Sequence, residues 1–328
     1  MTISTARERV RSARARSHPI LTRTAHLLAV LILVTFAATA LTELMPGSPG
    51  AVILGQGATS EQIAAFDREH GYDQPLFTRY LDWLGAALTG DLGTSIQSNQ
   101  AVTEVLLQRL PVTLELTVLA LLLSLLIAVP AAVYGASRAD GWFDRTMSSA
   151  ASVFLSIPVF VVGVVLVYVL AVATRWFPVA GWAPLTDGLA ENMRYAFVPV
   201  LALALGEFPA FYRLLRGDVI TTLDEDFVRT ATVRGLPRWY ILRRHVLRPS
   251  SFSLITVAAV TFGRLLAGSI VVESLFALPG LGSLALQSIP SKDIPMIQGI
   301  VVLVAVTYVL INAAVDIAYT FLDPRTRR

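Results

Sequence analysis

Apolar runs of spanning length recur six times along the chain, at residues 25–44, 112–134, 148–173, 196–215, 252–272 and 296–321. A helix needs about 20 apolar residues to cross the hydrocarbon of a bilayer. The pattern predicts an all-α, polytopic membrane protein with six transmembrane helices. Pro111 opens the second run and Pro130 lies within it, while Pro158 and Pro199 lie in the third and fourth. Membrane helices tolerate proline where neighbouring groups satisfy the freed carbonyls. Between the fourth and fifth runs the chain turns polar but keeps a helical pattern, as TTLDEDFVRTATVRGLPRWYILRRHVLRP over residues 221–249. Such a segment cannot sit in hydrocarbon. It must be a structured loop on one face of the membrane.

The first interval, residues 45–110, is polar with scattered aromatics. Ser60 is placed to cap one short helix that Gly71 stops, and Pro75 to open another with Leu76, Tyr80, Trp83 and Leu84 on one stripe. Tyrosine and tryptophan favour the headgroup level, so these helices are expected at the outer interface.

Charge then orients the chain. Only 15% of the 328 residues are charged and 55% are hydrophobic, far from the roughly 25% charged of a soluble domain. If the N-terminus is inside, 19 of the 26 basic residues fall in cytoplasmic segments and six in outer ones, with Arg264 left within a span. That bias predicts N-in, C-in topology. It also explains the isoelectric point of 9.4 without nucleic acid. The expected organisation is a basic cytoplasmic arm at 1–21 and a transmembrane domain at 22–328, with 45–110 outside and 217–250 forming a cytoplasmic loop. The run at 25–44 is too long for the apolar core of a signal peptide, so an uncleaved first span is expected. There is no cysteine, lysine occurs once (Lys292), and no GxxxxGK[ST] run exists to cradle a phosphate. No HExxH or GxSxG constellation is present either. Neither ATP hydrolysis nor a metal or other cofactor is expected on this chain.

Within the polar loop, Thr222 to Glu225 has the S/T-x-x-E form of a capping box, and Asp224, Glu225 and Asp226 suit a helix N-terminus. Leu223, Phe227 and Ala231 recur at four-residue spacing with Val228 beside them, giving a narrow apolar stripe. Gly235 should stop this helix. Pro237 should open a second one over 238–247, and Pro249 should mark the return to the bilayer. A stripe of this kind packs either on its own spans or in a groove of another protein.

The tract DFVRTATVRGL followed by LRRHVLRP resembles the cytoplasmic coupling segment of importer-type ABC transporter permeases. Arg229, Thr230 and Ala231 ahead of Gly235 resemble the dipeptide/oligopeptide/nickel branch, in its B-type permease. MPGSPG at 45–50, GDLGTS at 90–95, RLPVTLELT at 109–117, LSIPVFVVG at 155–163, VVESLFALPGLG at 271–282 and FLDPRTRR at 321–328 are similar to that family in the same order. The first 20 residues are longer and more basic than the family's usual start. The resemblance implies an ABC type I importer permease fold in a bacterial cytoplasmic membrane. It also implies a second homologous permease, one or two cytoplasmic ATP-binding subunits carrying ATP and magnesium, and an external substrate-binding protein. Peptides are the implied cargo, with nickel or glutathione as alternatives. The coupling role would fall to Leu223, Asp226, Phe227, Arg229, Thr230, Ala231, Gly235 and Leu236, with Phe227 and Ala231 as the knob buried against the ATPase.

Charges inside spans are costly enough to be read singly. Glu207 and Arg264 lie roughly 16 and 14 Å along their helices from the outer ends, at 1.5 Å per residue. Level with each other, they are expected to line the translocation path or to pair between helices. Arg213 and Asp316 are expected to pair near the cytoplasmic ends of spans four and six. Glu273, at the outer mouth, is expected either to contact a docked binding protein or to cap the segment after it, and Pro279, Gly280 and Gly282 to shape a turn at an outer gate. A stand-alone channel or secondary carrier would call for an internal repeat or a proton relay, and neither is visible.

Overall fold

The computed structural model describes the backbone of residues 18–44, 47–55 and 57–322, and side chains over 28–44, 47–55, 57–311, 313 and 314. Residues 1–17 of the basic arm lie outside the described residues. Over the rest the chain is helical along each of the six apolar runs. The elements are α1 (His18–Glu43), α2 (Pro49–Leu54), α3 (Ser60–Glu69), α4 (Leu76–Leu88), α5 (Val102–Ser137), α6 (Trp142–Ser156), α7 (Val159–Leu166), α8 (Leu189–Leu223), α9 (Asp226–Val233), α10 (Arg238–Tyr240), α11 (Leu247–Gly268), α12 (Ile270–Leu275), α13 (Leu281–Ser288) and α14 (Ile294–Leu322).

Among the described residues four helices are long and apolar enough to cross a membrane: Val102–Ser137, Leu189–Leu223, Arg238–Gly268 and Ile294–Ile311. A fifth crossing counts if α6 and the helix from Val159 to Ala173 form one broken span, for they meet at 104°. The described apolar part of α1, Leu28–Glu43, is shorter. The bend has a visible cause. Pro158 disfavours helical geometry at Ile157, whose φ and ψ are −98° and 126°, and α7 restarts with Pro158 as its N-cap residue. The expectation that Pro158 is absorbed within a continuous helix is therefore corrected. Pro111, Pro130, Pro199 and Pro209 do lie inside continuous helices.

The chain divides into two compact units. One comprises the described chain up to Val105 together with Ser288–Leu310. In it Tyr80 of α4 is buried against α1, its hydroxyl 2.9 Å from Thr35 Oγ1 and donating to the Ile32 carbonyl at 3.0 Å. Thr59, one residue before the expected Ser60, caps α3 in a reciprocal box with Gln62. Asp293 accepts from Ser95 Oγ at 2.5 Å and from the Met296 amide at 3.4 Å, tying the 90s loop to the start of α14. Lys292 is buried and donates to the Gly47 carbonyl. Burial holds its pKa below the ordinary lysine value, and Asp67 pulls the other way.

The second unit comprises Leu106–Gln287 and the described chain from Ile311. Its axis is α8, which packs against α6, α7 and α11. Phe211, Tyr212, Leu215 and Val219 on its C-terminal half are fully buried in one core cluster, and Ala196, Val198, Val200 and Leu203 enter a second. Asp144 joins α6 to α8. Arg216 grips it with Nε and Nη2, each at 2.6 Å, while the Tyr212 hydroxyl donates at 3.1 Å and the Asp140 amide at 3.0 Å. The Asp144 side chain is 2% exposed. Removing one partner of a buried pair leaves an uncompensated charge, at a cost of about 3 kcal/mol or more. Arg216→Met should therefore lower the thermal unfolding midpoint of the purified chain in detergent by several degrees. An unchanged midpoint would show that the pair contributes nothing to stability.

Candidate functional site

The polar loop is an elbow between two long helices. The capping box expected at Thr222 is absent: α8 runs on through Leu223, because Val219, Ile220 and Leu223 keep packing on the core beyond the apolar run. The Thr222 hydroxyl instead lies 2.9 Å from Ser250 Oγ, joining α8 to α11. Glu225 takes the N-cap position of α9 by backbone alone, with no side-chain hydrogen bond. The other end of α9 is as expected. Gly235 adopts φ +74°, the Leu236 amide donates to the Ala231 carbonyl and the Gly235 amide to the Thr232 carbonyl. These two bonds make a Schellman stop, for which glycine is the residue without steric penalty.

α9 has two faces. Val228 and Ala231 are buried in the core cluster with Ile241, Val246 and Leu254. Asp226, Phe227, Arg229, Thr230, Val233 and Leu236 face outward. Phe227 is 47% exposed and Val233 88%. The stripe expected to serve as one knob is thus divided. Ala231 packs inward against its own chain, Leu223 is half-buried, and Phe227 remains available to a partner.

Pro237 opens a helix as expected, but it is not a separate one. α10 passes into a π-helical turn, Ile241–Val246, and then directly into α11, so Pro249 lies within a helix that is continuous from Arg238 to Gly268. Proline has no amide to donate to the preceding turn, and a local π adjustment is one way in which a helix absorbs that loss. Arg238 donates to the Ser137 carbonyl at the end of α5, anchoring the elbow.

Higher along the same helices, Arg264 Nη2 of α11 donates to Glu207 Oε2 of α8. The Glu207 side chain is 10% exposed and that of Arg264 63%. Together with Val159, Phe160, Leu203 and Gly268 they line an open cleft of about 270 Å³. Arg213 donates to Ser152 Oγ at 2.8 Å. Its expected partner, the Asp316 side chain, lies outside the described residues.

Glu273 is wholly buried. Its Oε1 accepts from Thr113 Oγ1 and Ser269 Oγ, both at 2.8 Å, and its Oε2 from the Ser283 amide at 3.0 Å. Thr113 Oγ1 in turn accepts the Leu281 amide at 2.8 Å. Side chains of α5 and α12 therefore satisfy two of the orphan donors at the start of α13. Of the two roles expected for Glu273, its hydrogen bonds are those of the cap. A Cβ on Gly280 would stand 2.3 Å from Glu273 Oε2, and one on Gly282 2.6 Å from Ile270 Cα. Close approach, with Pro279 half-buried in the turn, accounts for the glycine spacing there. The Asp144–Arg216 pair and Glu115, which interacts with Asn192 inside the unit, were not foreseen. Glu115 does stand inside the apolar run at 112–134, a carboxylate within an expected span, and that is its one signal in the sequence.

Two family models together cover almost all of the chain. Residues 124–328 match the binding-protein-dependent transport system inner membrane component, and residues 18–117 match the model described as "Binding-prot-dependent transport system membrane comp, N-term". Among curated proteins, the probable peptide ABC transporter permease protein y4tP of Sinorhizobium fredii (strain NBRC 101917 / NGR234) is 35% identical over 308 residues, covering 94% of this chain and 98% of that one. The putative peptide transport system permease protein BAB2_1050 of Brucella abortus (strain 2308) is similar to the same extent. The glutathione transport system permease protein GsiC of Salmonella choleraesuis (strain SC-B67) is 31% identical over 308 residues, 94% of this chain and 98% of that one. Among solved structures, an inward-facing MetNI methionine ABC transporter matches with a TM-score of 0.55 at 18% identity, over 67% of this chain and 96% of that one. At that identity the likeness is one of fold, and it is the type I importer permease fold. The chain belongs to the family of binding-protein-dependent transport system inner membrane components.

Proposed function

We propose that this chain is the permease subunit of an ATP-driven importer that carries peptides across the bacterial cytoplasmic membrane, and that the elbow at 221–249 takes up the motion of a cytoplasmic ATPase. The names of the relatives that match over nearly their whole length support the cargo class. The two-faced α9 is the observation that carries the coupling role. Its inner face is fixed to α8 and α11, and its outer face offers Phe227 between polar groups. In this reading N- and C-termini are cytoplasmic, which the arginine distribution supports. The chain itself is non-catalytic. ATP and magnesium belong to one or two partner subunits, a second permease completes the pore, and an external binding protein delivers cargo. Phe227 docks in the partner's groove, Asp226, Arg229 and Thr230 set the polar register, and Gly235 and Leu236 hold the turn. Glutathione is the second reading, favoured by the relative named for it. Uptake into vesicles holding the reconstituted complex, with a dipeptide, a longer peptide and glutathione in competition, separates the two.

Two substitutions test the roles of named residues. A Cβ at Gly235 meets open space, so the strain of a β-branched side chain there is conformational, about 1–2 kcal/mol. Gly235→Val should leave the protein in the membrane with its partners while ATP hydrolysis no longer drives uptake; normal peptide uptake would sink the coupling role. The Glu207–Arg264 pair is assigned to the translocation path, where it lines the cleft. Glu207→Gln should reduce uptake about tenfold, equivalent to about 1.4 kcal/mol, with assembly intact. Loss of the assembled complex instead would make the pair a structural tie between α8 and α11.

A further inference from the structure

Where α1, α3, α4 and the start of α14 meet, inside the first unit, lies an open cavity of about 160 Å³. It contains none of the residues assigned to coupling or to the path. Four charged side chains line it, Glu43 and Asp67 against Arg79 and Lys292, together with Tyr72. That balance sets the cavity apart from a site for a simple ion. An anion or a cation would meet repulsion as well as attraction there, whereas a ligand carrying both signs can be complementary to it.

The four charges play different parts. Arg79 Nη1 donates to Glu43 Oε2 at 2.8 Å, and the same guanidinium lies over the Tyr72 ring, 5.0 Å from its centroid. These two charges answer each other, and Arg79 positions the ring. Lys292 and Asp67 are both oriented by the backbone of one short segment. Lys292, 6% exposed, donates to the Gly47 carbonyl, and Asp67 Oδ1 accepts from the Gly50 amide at 3.0 Å. The two charges are near enough for Asp67 to pull the lysine pKa up against the effect of burial. Asp67 Oδ2 and the Tyr72 hydroxyl make no hydrogen bond among the described residues. Burial pushes the Tyr72 pKa up, so its hydroxyl stays a neutral donor.

Spacing and size then narrow the ligand. The Gly47 carbonyl and the Gly50 amide are at most about 10 Å of chain apart. An α-amino acid holds its ammonium and carboxylate about 3 Å apart, and a charge-assisted hydrogen bond of about 2.8 Å at each end extends its reach to about 8 Å. A cavity of about 150 Å³ takes one benzene ring, which has as many non-hydrogen atoms as alanine. A peptide of two residues is already larger by about half.

We propose that this cavity binds a small zwitterionic α-amino acid, with Lys292 and the Tyr72 hydroxyl on its carboxylate and Asp67 Oδ2 on its ammonium. Pro49 and Ile294 supply an apolar wall for a short side chain. The site is independent of the coupling role and of the cleft at Glu207 and Arg264. Only the side from which the ligand arrives depends on the proposed placement of residues 45–110 outside.

The test uses the full chain purified in detergent, with radiolabelled L-alanine in equilibrium dialysis. Binding should saturate at a single molecule per chain. Unlabelled alanine should compete at least about tenfold better than alaninamide, which lacks the carboxylate, or propionate, which lacks the ammonium. Asp67→Asn keeps an acceptor for the Gly50 amide while removing the charge, and should weaken alanine about tenfold. Asp73→Asn, which alters an exposed acid outside the cavity lining, should leave binding unchanged. Tyr72→Phe should weaken alanine about threefold. Lys292→Met should abolish binding; should that variant not fold, Asp67→Asn and Tyr72→Phe, at half-buried positions, decide the matter. Saturable binding that survives Asp67→Asn unchanged overturns the site, and so does the absence of saturable binding, which would leave the cavity to water. Equal competition by propionate would make it an anion site, and stronger competition by dialanine a subsite for peptides; either result overturns the amino acid as its ligand.

Discussion

A carboxylate removed from water must receive its hydrogen bonds from the protein, and three such groups hold the second unit together. Asp144 takes the forked guanidinium of Arg216 and joins α6 to α8. Glu207 takes Arg264 and joins α8 to α11. Glu273 meets no cation among the described residues; its partners are two hydroxyls and a helix amide, joining α5, α12 and α13. Each is a place where the helices have no freedom to slide, since a shift of one residue would strand a buried charge. Apolar packing alone would not fix register so tightly, because lipid tails solvate a leucine face as well as another helix does.

The long apolar helices were legible because hydrocarbon imposes one strict rule, a long stretch of apolar side chains, on a segment that crosses it. The turn at Gly235 was legible for a similar reason: only a glycine meets that backbone geometry without cost. What failed were the places where one local pattern serves two structures. Thr222 to Glu225 spells a helix start, yet the neighbouring Val219, Ile220 and Leu223 carry α8 past it by packing on distant residues. Pro158 and Pro199 look alike in sequence, but one breaks its helix by 104° and the other lies inside an unbroken one. The Asp144–Arg216 pair spans 72 residues, a separation at which no periodicity brings two side chains together.

The candidate site was legible in outline and misread in detail. The elbow, its glycine and the levels of Glu207 and Arg264 followed from pattern and helical rise. The division of the apolar stripe into an inward Ala231 and an outward Phe227 did not, since both satisfy the same four-residue spacing. Nor did the burial of Glu273, whose place at the end of an apolar run reads equally as a mouth or as a cap.

The length of α8 has a mechanical meaning. Its 35 residues extend about 52 Å, against about 30 Å of hydrocarbon. Some 20 Å therefore lies outside the core, shared between its two ends, and the end at Leu223 is stiffened by the elbow that ties it to the equally unbroken helix after Arg238. A sideways force applied at α9 acts on a rigid lever whose fulcrum lies among the tied helices. A tilt of about 10° over that length moves the opposite end by about 9 Å, roughly the diameter of an α-helix.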